Sequence, residues 1–562
     1  MPQVWYNRQE NTDIRHIPDF ERMDLMKKAK LTLHPDYRIG DISPRLFGAF
    51  LEPIGSMVNG SMYNPKHPQA DEQGLRRDFY EALKKTGLPC VRLPGGNFVS
   101  GWQWKDSIGP KEQRKVHLDP AWFQFIPNDV GHDEYLQWAE KAGTEPVYTV
   151  NLATGSIQDA MDCVEYTNFS GGTWWSDLRK KNGHAQPYNV KTWCLGNDMD
   201  GPWQIGSREK DPKGYGVLAH EASKAMKWID PKIETVACVS SSPFLNHYPD
   251  WDMQVLEECY STVDYISLHH YHSAPPDLPK ALLAGYLAFE DYIRTEIALC
   301  DYLKTKLRTR KTMLLAFDEY GSMFRPRGEA RLGLSGRQNA DMFYQFDPNR
   351  TYVCHDPDDW STRRNPPMGN EMLSALGTAS TLLVLLRHAD RVKIGCATGG
   401  LHCLCRTDRE HTWKGAAYYP FTQMIQWAKG ESLLCPVECE KYDVPGYAID
   451  DMNQYGGFTG ADTVQAAAAL NEEAGELTVF VINADLEEAQ QFTLDARGFE
   501  GYTFLEHIEM HAGSPDAANT FDRPDILIPR RVTDTRWDGG VVSAKLEKAS
   551  WNVFRFTAMR KA

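Results

Sequence analysis

The chain has 562 residues, which is too long for one ordinary domain and indicates two or three. Its formal net charge of -15 and its pI near 5.6 argue against nucleic acid or an anionic membrane surface as a partner. The start is polar, without the apolar core of a signal peptide, and the 12 cysteines are scattered, so we expect a protein of the reducing cytoplasm.

Strand-like runs alternate with helical patterns through the first 400 residues, which indicates a parallel α/β fold. The eight predicted strands are Leu46–Glu52, Cys90–Pro94, Pro146–Leu152, Val190–Asp198, Glu234–Ser241, Val263–Tyr271, Thr312–Glu319 and Arg391–Ala397. Between the first two, Leu75, Phe79 and Leu83 recur at the spacing of a helix face, and Gly87 is expected to end that helix. Eight such units predict a TIM (β/α)8 barrel, because an open sheet has no preference for eight strands.

The pattern changes to β-rich after about residue 410. Glu476–Asn483 and Trp551–Thr557 are apolar strands separated by Gly, Asp and Pro, which predicts an antiparallel β-sandwich. Lys30–Leu33 is also β-like and is a candidate for an additional, N-terminal strand of that sandwich. We therefore predict an N-terminal extension and strand at 1–40, a catalytic barrel at 41–410 and a sandwich domain at 411–562.

One long segment, Ser322–Asn370, follows the seventh predicted strand and is rich in Arg, Asp, Gly and Pro. Loops of that length are usually functional or disordered. We interpret this segment as a wall or lid over a cleft at the end of the barrel.

Two predicted barrel strands end in carboxylates. Trp193–Gln204 contains Asp198, and Leu314–Gly321 contains Glu319. Residues just past the C-terminal ends of barrel strands line the active site, and carboxylates from two strands are what glycoside hydrolysis needs. Glu319 is thus a candidate nucleophile, with a helix N-cap or a salt bridge as the alternative. Asp198 is a candidate acid/base, with a turn residue as the alternative. Asp200 is a weaker competitor for that role and is itself interpreted as a turn residue.

Polar residues follow other strands as well. Glu52 ends the first strand, where it would bind either substrate or a neighbouring Arg. The segment Leu93–Phe98 has two glycines that allow close approach of a ligand, and its Asn97 can both donate and accept hydrogen bonds to sugar hydroxyls. A phosphate loop is the rival interpretation, but the Lys-Ser/Thr of a Walker motif is missing.

His269–His272 closes the sixth strand. His270 and His272 share one side of the strand and could ligate a metal. The alternative is that these rings and Tyr271 line a sugar pocket. No cluster of His, Cys or Asp has convincing ligand spacing, so we expect no metal and no cofactor.

Together these motifs resemble family 51 glycoside hydrolases, which are mainly α-L-arabinofuranosidases. The resemblance runs from about residue 28 through the barrel and, more weakly, into the sandwich. Its motifs are Phe47–Glu52, Arg92–Gly101, Trp104–Pro110, Trp193–Gly206, Ile266–His269 with Tyr271, and Phe317–Glu319.

The resemblance implies a TIM barrel with a jelly-roll β-sandwich, retaining chemistry and usually a hexamer. It implies that Glu319 is the nucleophile and that position 198 is the acid/base. It further implies that the furanose in the −1 subsite is held by Glu52, Asn97, Asn197 and Tyr271.

Three departures from the family pattern bear on activity. The acid/base of the family is Glu, whereas this chain has Asp198. The family commonly has an aromatic residue a few positions after the nucleophile, in an Asp-Glu-Trp-Asn-x-x-Trp pattern, whereas this chain reads Asp-Glu-Tyr-Gly-Ser-Met at Asp318–Met323. A Gln that touches the sugar after the eighth strand is replaced around Gly399–Gly400. The last two changes reshape the rim of the pocket and affect which substrate fits.

The leading hypothesis is a cytoplasmic homo-oligomeric exo-hydrolase that removes terminal α-L-arabinofuranosyl residues from oligosaccharides, as in arabinan breakdown. A galactofuranosidase or an endo-acting glucanase is the second hypothesis. A carbohydrate-binding protein or an enzyme impaired by Asp198 is the third. A hydrolase with a His-ligated metal is the weakest.

Overall fold

The computed structural model describes residues 26–327, 351–353, 356, 358, 369–449 and 454–559. The N-terminal extension before residue 26 and most of the segment interpreted as a wall or lid therefore lie outside the described residues. Within the described ranges, no helix has the length and apolar character needed to cross a membrane.

Strands and helices alternate along the barrel half of the chain, and strands dominate the rest. In chain order the strands are β1 (Lys27–Thr32), β2 (Arg38–Asp41), β3 (Gly48–Phe50), β4 (Cys90–Leu93), β5 (His117–Asp119), β6 (Gln124–Ile126), β7 (Glu145–Val150), β8 (Thr192–Leu195), β9 (Glu234–Cys238), β10 (Tyr265–Ala274), β11 (Leu314–Phe324), β12 (Val392–Ala397), β13 (Cys405–Thr407), β14 (Thr412–Lys414), β15 (Glu431–Leu433), β16 (Val437–Glu438), β17 (Lys441–Val444), β18 (Tyr447–Ala448), β19 (Gln454–Tyr455), β20 (Phe458–Asp462), β21 (Val464–Asn471), β22 (Glu476–Asn483), β23 (Gln490–Asp495), β24 (Tyr502–Met510), β25 (Arg530–Val532), β26 (Arg536–Asp538), β27 (Val541–Leu546) and β28 (Ser550–Ala558). The α-helices are α1 (Arg77–Lys84), α2 (His132–Ala142), α3 (Ile157–Asn168), α4 (Trp174–Lys181), α5 (Pro212–Ile229), α6 (Asp250–Cys259), α7 (Lys280–Ala284), α8 (Tyr286–Lys306), α9 (Met372–Arg387), α10 (Gly400–Leu404) and α11 (Tyr418–Trp427). Short 3₁₀ helices occupy Pro44–Phe47, Asn97–Gly101, Trp104–Ser107 and Lys111–Gln113.

Eight strands close into a parallel barrel in the order β3-β4-β7-β8-β9-β10-β11-β12. The barrel closes where β12 pairs with β3, with Cys396 opposite Gly48 and Ala397 opposite Ala49. Each strand overlaps one of the eight predicted from the sequence, so the predicted TIM barrel is confirmed. Strands β4 and β8 are buried along their whole length, because helices cover one face and the barrel interior covers the other.

The barrel interior is a packed layer of side chains that forms the floor of the site. This cluster consists of Phe50, Cys90, Val147, Cys194, Val236, Tyr265, Ala316, Ile394 and Cys396. Alternate residues of a strand share a face, so Arg92 follows Cys90 on the inner face of β4, one layer nearer the C-terminal end. The site therefore begins where the apolar side chains of this floor are followed by polar side chains nearer the C-terminal ends of the strands.

The helix predicted between the first two strands is α1. Phe79 and Leu83 are buried on one face of it, as the spacing predicts, while Leu75 lies just before its start. The helix ends at Lys84, three residues before Gly87. The prediction that Gly87 itself ends the helix is therefore wrong; Gly87 lies in the following turn, at a φ of +70°.

The C-terminal part of the chain contains two sheets packed face to face. One sheet has the order β16-β1-β23-β27-β26 and the other β2-β15-β21-β22-β28-β24-β25. A core that includes Leu31, Val479, Phe492 and Phe554 lies between them. Strand β1 pairs in parallel with β23, so the predicted β-sandwich is confirmed and includes the N-terminal strand.

Helix α9 joins the barrel to the sandwich. Fifteen consecutive residues, Met372–Leu386, are buried, because the helix packs against β11 of the barrel on one side and β21 of the sandwich on the other. A helix that is apolar all round is expected in such a position. This helix holds the sandwich beside the strand that carries Glu319.

Candidate active site

Arg92 lies at the centre of the polar cluster above the barrel floor. Its Nη1 donates to Glu319 Oε1 at 2.6 Å, and its Nη2 donates to Asn197 Oδ1 at 2.7 Å. Its Nε is 2.8 Å from Asp318 Oδ2. The side chains of Arg92 and Asp318 are fully buried, so this guanidinium on β4 fixes residues of β11 and of the end of β8 with little competition from water.

The second oxygen of Glu319 faces β10. Tyr271 Oη donates to Glu319 Oε2 at 2.8 Å and is also 2.6 Å from Thr398 Oγ1. With Arg92 on one oxygen and Tyr271 on the other, the carboxylate of Glu319 is held in one orientation. A nucleophile aimed at one carbon atom requires such an orientation.

Glu52 is buried where the loop after β4 crosses the end of β3. Its Oε1 accepts hydrogen bonds from the backbone N–H groups of Gly96 at 3.0 Å and Phe98 at 2.8 Å. Burial, with the nearby charge of Glu319, raises the pKa of Glu52 to about 8, although the Phe98 N–H opposes the shift. Near neutral pH Glu52 is therefore largely protonated and can donate a hydrogen bond to a hydroxyl group.

The loop that carries Asn97 must approach Glu319 closely. A Cβ atom on Gly96 would collide with Glu319 Oε1 and would lie 3.0 Å from Asn197 Oδ1, so only glycine fits at this position. Asn197 Nδ2 donates to Asn97 Oδ1 at 2.9 Å, which joins the ends of β4 and β8.

Asp198 follows Asn197 at the end of β8, at a φ of +44°. Trp203 Nε1 donates to Asp198 Oδ2 at 3.0 Å, and His269 Nδ1 lies 2.9 Å from Asp198 Oδ1. Burial alone would raise the pKa of Asp198, but the charge and hydrogen bond of His269, with that of Trp203, lower it below its usual range. Asp198 is thus ionised in the structure as described.

His269 lies between the two candidate carboxylates. Its Nδ1 is also 3.7 Å from Glu319 Oε2, so Asp198 Oδ1 and Glu319 Oε2 are at most 6.6 Å apart, the sum of the two distances to Nδ1. Carboxyl groups lie about 5–5.5 Å apart in retaining glycosidases and roughly 6.5–9.5 Å apart in inverting ones. The upper limit is compatible with the shorter spacing and leaves little room for the longer one.

Three other residues considered from the sequence, Asp200, His270 and His272, lie outside this cluster. Asp200 is fully buried and accepts hydrogen bonds from Ser241 N at 3.0 Å and Oγ at 3.2 Å, and its Oδ2 lies 3.1 Å from His247 Nε2. The view of Asp200 as a turn residue is therefore incomplete, because its side chain ties the β8 loop to the β9 loop.

His270 and His272 face away from the site. The ring of His270 stacks on Phe289 of α8 at 4.3 Å between centroids, and His272 Nε2 is 2.8 Å from Ala281 O. Burial lowers the pKa of His270 to about 3 and that of His272 to about 4, so both rings are neutral. Among the described residues, no group of three or more His, Cys, Asp and Glu side chains could hold a metal ion.

The position after β12, where the family pattern differs, is formed by Thr398 and two glycines. Gly399 has a φ of +70° and begins the short helix α10 at Gly400. Thr398, which contacts Tyr271, is the polar side chain that this segment directs to the site. The rim here is consequently smaller than a Gln side chain would make it.

The structure brings together Glu319, Asp198, Glu52, Asn97, Asn197 and Tyr271, and their individual roles stay predictions. Sequence reasoning did not assign Arg92, His269 or Asp318 to the site. Arg92 had a detectable signal, because a charged residue inside a buried parallel strand needs buried partners. The sequence signal for His269 was weak, because its neighbours in the run include histidines whose side chains face away from the site.

Two family models match the chain: an α-L-arabinofuranosidase 1 domain at residues 82–292 and an α-L-arabinofuranosidase C-terminal domain at residues 351–550. The intracellular exo-α-(1→5)-L-arabinofuranosidase 1 of Bacillus subtilis (strain 168) is 36% identical over 94% of this chain and 99% of its own. An exo-α-(1→6)-L-arabinofuranosidase of Bifidobacterium longum is 31% identical over 94% of this chain and 97% of its own. The solved structure of a family 51 α-L-arabinofuranosidase from Bifidobacterium longum matches with a TM-score of 0.79 and 28% identity, over 94% of this chain and 99% of that one.

Proposed function

The chain belongs to glycoside hydrolase family 51, the family of α-L-arabinofuranosidases, and on that premise we propose that it is a retaining exo-hydrolase that removes terminal α-L-arabinofuranosyl residues from oligosaccharides. The observation that carries the proposal is the placement of Glu319 and Asp198 on either side of His269, with facing oxygens no more than 6.6 Å apart. That spacing suits a double displacement, in which one carboxylate attacks carbon and the other moves a proton.

Glu319 acts as the nucleophile. Arg92 and Tyr271 each hold one of its oxygens, which directs a lone pair of the carboxylate towards an anomeric carbon. Attack forms a glycosyl ester with Glu319 while the bond to the leaving oxygen breaks. Water then attacks the same carbon and restores the carboxylate, so the product keeps the anomeric configuration of the substrate.

Asp198 acts at the acid/base position. In the first step the leaving oxygen receives a proton from its carboxyl group, and in the second the attacking water returns one. Trp203 fixes the orientation of Asp198 through Oδ2. The proposal assigns both proton transfers to the opposite oxygen, Oδ1, which faces Glu319 across His269.

The sugar is held by groups on the other side of the site. Glu52, with its raised pKa, donates to a hydroxyl, and the Asn97–Asn197 pair offers amide groups to others. Thr398 leaves more room than a Gln would, so a furanose with a longer exocyclic group remains a specific competitor. The related galactofuranoside is therefore the second candidate substrate.

A panel of aryl glycosides tests the proposed specificity. The purified chain is assayed on the nitrophenyl glycosides of α-L-arabinofuranose, β-D-galactofuranose, α-L-arabinopyranose and β-D-glucopyranose, and on a soluble β-glucan. We expect the highest kcat/KM on the arabinofuranoside and a product whose anomeric proton signal, followed from time zero, is first that of the α-anomer. Faster turnover of the galactofuranoside or internal cleavage of the glucan would overturn the assignment, and binding without turnover would identify a carbohydrate-binding protein.

Linkage and cellular setting follow from the same premise. The relatives are named for α-(1→5) and α-(1→6) linkages, and some of them are named as intracellular. We therefore propose that the substrates of this chain are short oligosaccharides that the cell has taken up. Matched (1→5)- and (1→6)-linked arabinobiosides decide the linkage. The proposal includes a homo-oligomer, for which the family resemblance implies a hexamer. Sedimentation of the chain as a monomer at micromolar concentration would refute this part of the proposal.

A further inference from the structure

We propose that His269 stores the proton that Asp198 delivers, so that the two side chains act as one proton-transfer pair. The inference rests on the proposed function, because it concerns the proton used at the same site. It makes His269 a positioning residue that acts through Asp198.

The position of His269 supports this pairing. Nδ1 lies 2.9 Å from Asp198 Oδ1, while the other side of the ring, at Nε2, faces Asp318 Oδ1 at 3.5 Å and Ser267 Oγ at 3.4 Å. Only 4% of the His269 side chain is exposed. A buried imidazole with carboxylates at both nitrogens is favoured as the doubly protonated cation, because water cannot screen the attraction.

The charges around the ring require a second cation. The carboxylates of Asp198, Asp318 and Glu319 all lie within 3.7 Å of His269. Arg92 pairs with Asp318 at 2.8 Å and with Glu319 at 2.6 Å, and the fully buried guanidinium is committed to those two. With Arg92 as the only cation, three buried negative charges would face one positive charge. We therefore infer that His269 is the cationic partner of Asp198.

The directions of the pKa shifts around His269 agree with the geometry. Burial alone would lower the pKa of His269, but the charges of Glu319 and Asp198 outweigh it and raise the pKa well above the usual range. Burial would likewise raise the pKa of Asp318, but the charge of Arg92 and the contact with His269 lower it to about 2. Asp198 is shifted in the same direction as Asp318. The proton that the acid/base needs is thus on the imidazole and not on the carboxyl group.

This arrangement differs from the usual way of making a glycosidase acid. In lysozyme, a standard example, apolar surroundings raise the pKa of the acid carboxyl to about 6, so it holds its own proton at a pH where ordinary carboxyl groups are ionised. Here Trp203 donates to one oxygen of the shorter Asp198 and the His269 ring lies 2.9 Å from the other, which favours the ionised form of Asp198. The pair can still supply an acid if the proton crosses the 2.9 Å contact as the leaving group departs.

The proton balance closes over one turnover. As Glu319 bonds to the anomeric carbon and the glycosidic C–O bond breaks, the leaving oxygen takes a proton from Asp198, which takes one from His269 Nδ1 and leaves a neutral imidazole. When water attacks and the ester to Glu319 breaks, the proton of that water passes through Asp198 back to Nδ1. The imidazolium is restored and no other acid or base is consumed.

An NMR titration of the intact protein tests the storage site without relying on activity. The chain is labelled with ¹⁵N-histidine, and the His269 signal is assigned by its loss in His269→Gln. We expect His269 to keep both protons at about pH 8, above the ordinary histidine pKa, and to lose one at lower pH in Asp198→Asn. A His269 that is neutral at pH 7 in the unsubstituted protein would overturn the proposal.

Kinetics provide the second readout. The pH dependence of kcat/KM is measured for the unsubstituted protein and His269→Gln, on an arabinobioside and on the nitrophenyl arabinofuranoside. We expect His269→Gln to lower, by about one pH unit or more, the pH at which kcat/KM for the arabinobioside declines on the alkaline side, called the alkaline limb. The reason is that Asp198 must then hold the proton alone. The nitrophenyl substrate, which needs little protonation, should show a much smaller change. An unmoved limb, or equal losses on both substrates, would mean that His269 is merely structural.

The matched control is His247→Gln. His247 also pairs with a buried aspartate, Asp200, at 3.1 Å, but it lies outside the cluster around Glu319. Its removal should leave the alkaline limb in place. If the unsubstituted protein hydrolysed no arabinofuranoside at all, the proposed function would fail, and the NMR titration would still decide where the proton resides.

Discussion

Arg92 Nη1 and Glu319 Oε1 lie 2.6 Å apart, although the two residues are 227 positions apart in the sequence. The same guanidinium binds Asn197 and Asp318, so one buried side chain sets the mutual geometry of the ends of β4, β8 and β11. The carboxylate that we propose as the nucleophile is therefore positioned by a residue that was not assigned to the site from the sequence.

Replacing Arg92 by Lys should separate charge from geometry. Lys keeps the positive charge but has no planar fork to hold three partners at once. We expect kcat to fall about 10²-fold or more, the cost of misplacing a reacting group by about 1 Å. Arg179→Lys is the matched control, since Arg179 is equally buried but binds backbone carbonyls away from the site. Steady-state kinetics and thermal melts of both variants check the prediction, and an equal loss of kcat in both would contradict it.

Glu319→Ala should remove the nucleophile while leaving the sugar site in place. We expect kcat on the nitrophenyl arabinofuranoside to fall by several orders of magnitude, because no covalent intermediate can form. Azide, which fits the space left by the carboxylate, should restore part of the turnover and give a glycosyl azide of inverted configuration. Glu506→Ala, which removes a sandwich carboxylate paired with Arg555, is the control. Normal activity in Glu319→Ala would exclude the assignment.

The barrel was predictable because its strands are buried on both faces. Runs such as Trp193–Leu195 and Leu314–Phe317 appear in the sequence as uninterrupted apolar segments, and the number of such runs favours a closed barrel. The positions of Glu319 and Asp198 followed, since both come directly after such runs. The strand β1 of the sandwich was also foreseeable from its composition, but its parallel pairing with β23 was not, because pairing depends on segments some 460 residues apart.

The electrostatics of the site could not be predicted in the same way. Nothing in His269–His272 indicates that His269 and Tyr271 face the carboxylates while His270 packs against α8 and His272 against α7. Ser267, His269 and Tyr271 all face the site, so side chains alternate regularly even though the pairing with β11 shifts between Ser267 and His269. Alternation indicates which side chains share a face but not which face points to the site.

A second buried acidic pair lies behind the β9 loop and should make the stability of the fold decrease as pH rises from acid to neutral. Asp252 and Glu296 are fully buried beside each other, and Asp252 Oδ1 accepts from Ser240 N and Oγ. Burial raises the pKa of Asp252 to about 7 and that of Glu296 well above its usual range. The folded protein therefore binds more protons than the unfolded chain between the two pKa values of Asp252, and stability falls as pH rises from about 4 to about 7.

Asp252→Asn should remove that dependence. The amide oxygen can still accept from Ser240, and its NH₂ group can donate to Glu296, so the pair no longer needs a shared proton. We expect the Tm of the variant, relative to the unsubstituted protein, to increase as pH is raised from about 4 to about 8. Thermal melts across that range check this, with the exposed Asp522→Asn as the control. A Tm difference that is constant with pH would show that Asp252 carries no extra proton.

Removal of metal ions should leave activity unchanged. The proposed reaction uses only carboxylates, an imidazole and water, and no step in it needs a Lewis acid. We expect equal kcat/KM on the nitrophenyl arabinofuranoside before and after dialysis against EDTA. Loss of activity that zinc reverses would contradict the two-carboxylate mechanism.

Asp198→Glu tests the departure of this chain from its family. Asp is one methylene shorter than Glu, so with an unmoved backbone its carboxyl group is withdrawn by about 1.5 Å, one C–C bond. The φ of +44° at Asp198 and the contacts with Trp203 and His269 hold it in that withdrawn position. General acid assistance is worth about 10²–10⁴-fold, and a misplaced acid forfeits much of it.

Substrates differ in how much they depend on that assistance. A nitrophenolate leaves without protonation, whereas the alkoxide of a natural sugar does not. We therefore expect Asp198→Glu to raise kcat/KM on arabino-oligosaccharides far more than on the nitrophenyl arabinofuranoside, with Asp200→Glu as a control at a neighbouring buried acid. Lower activity on both substrates in Asp198→Glu would mean that the site is adapted to Asp, because the longer side chain would then displace His269 from its place between Asp198 and Glu319 and break the proton-transfer pair.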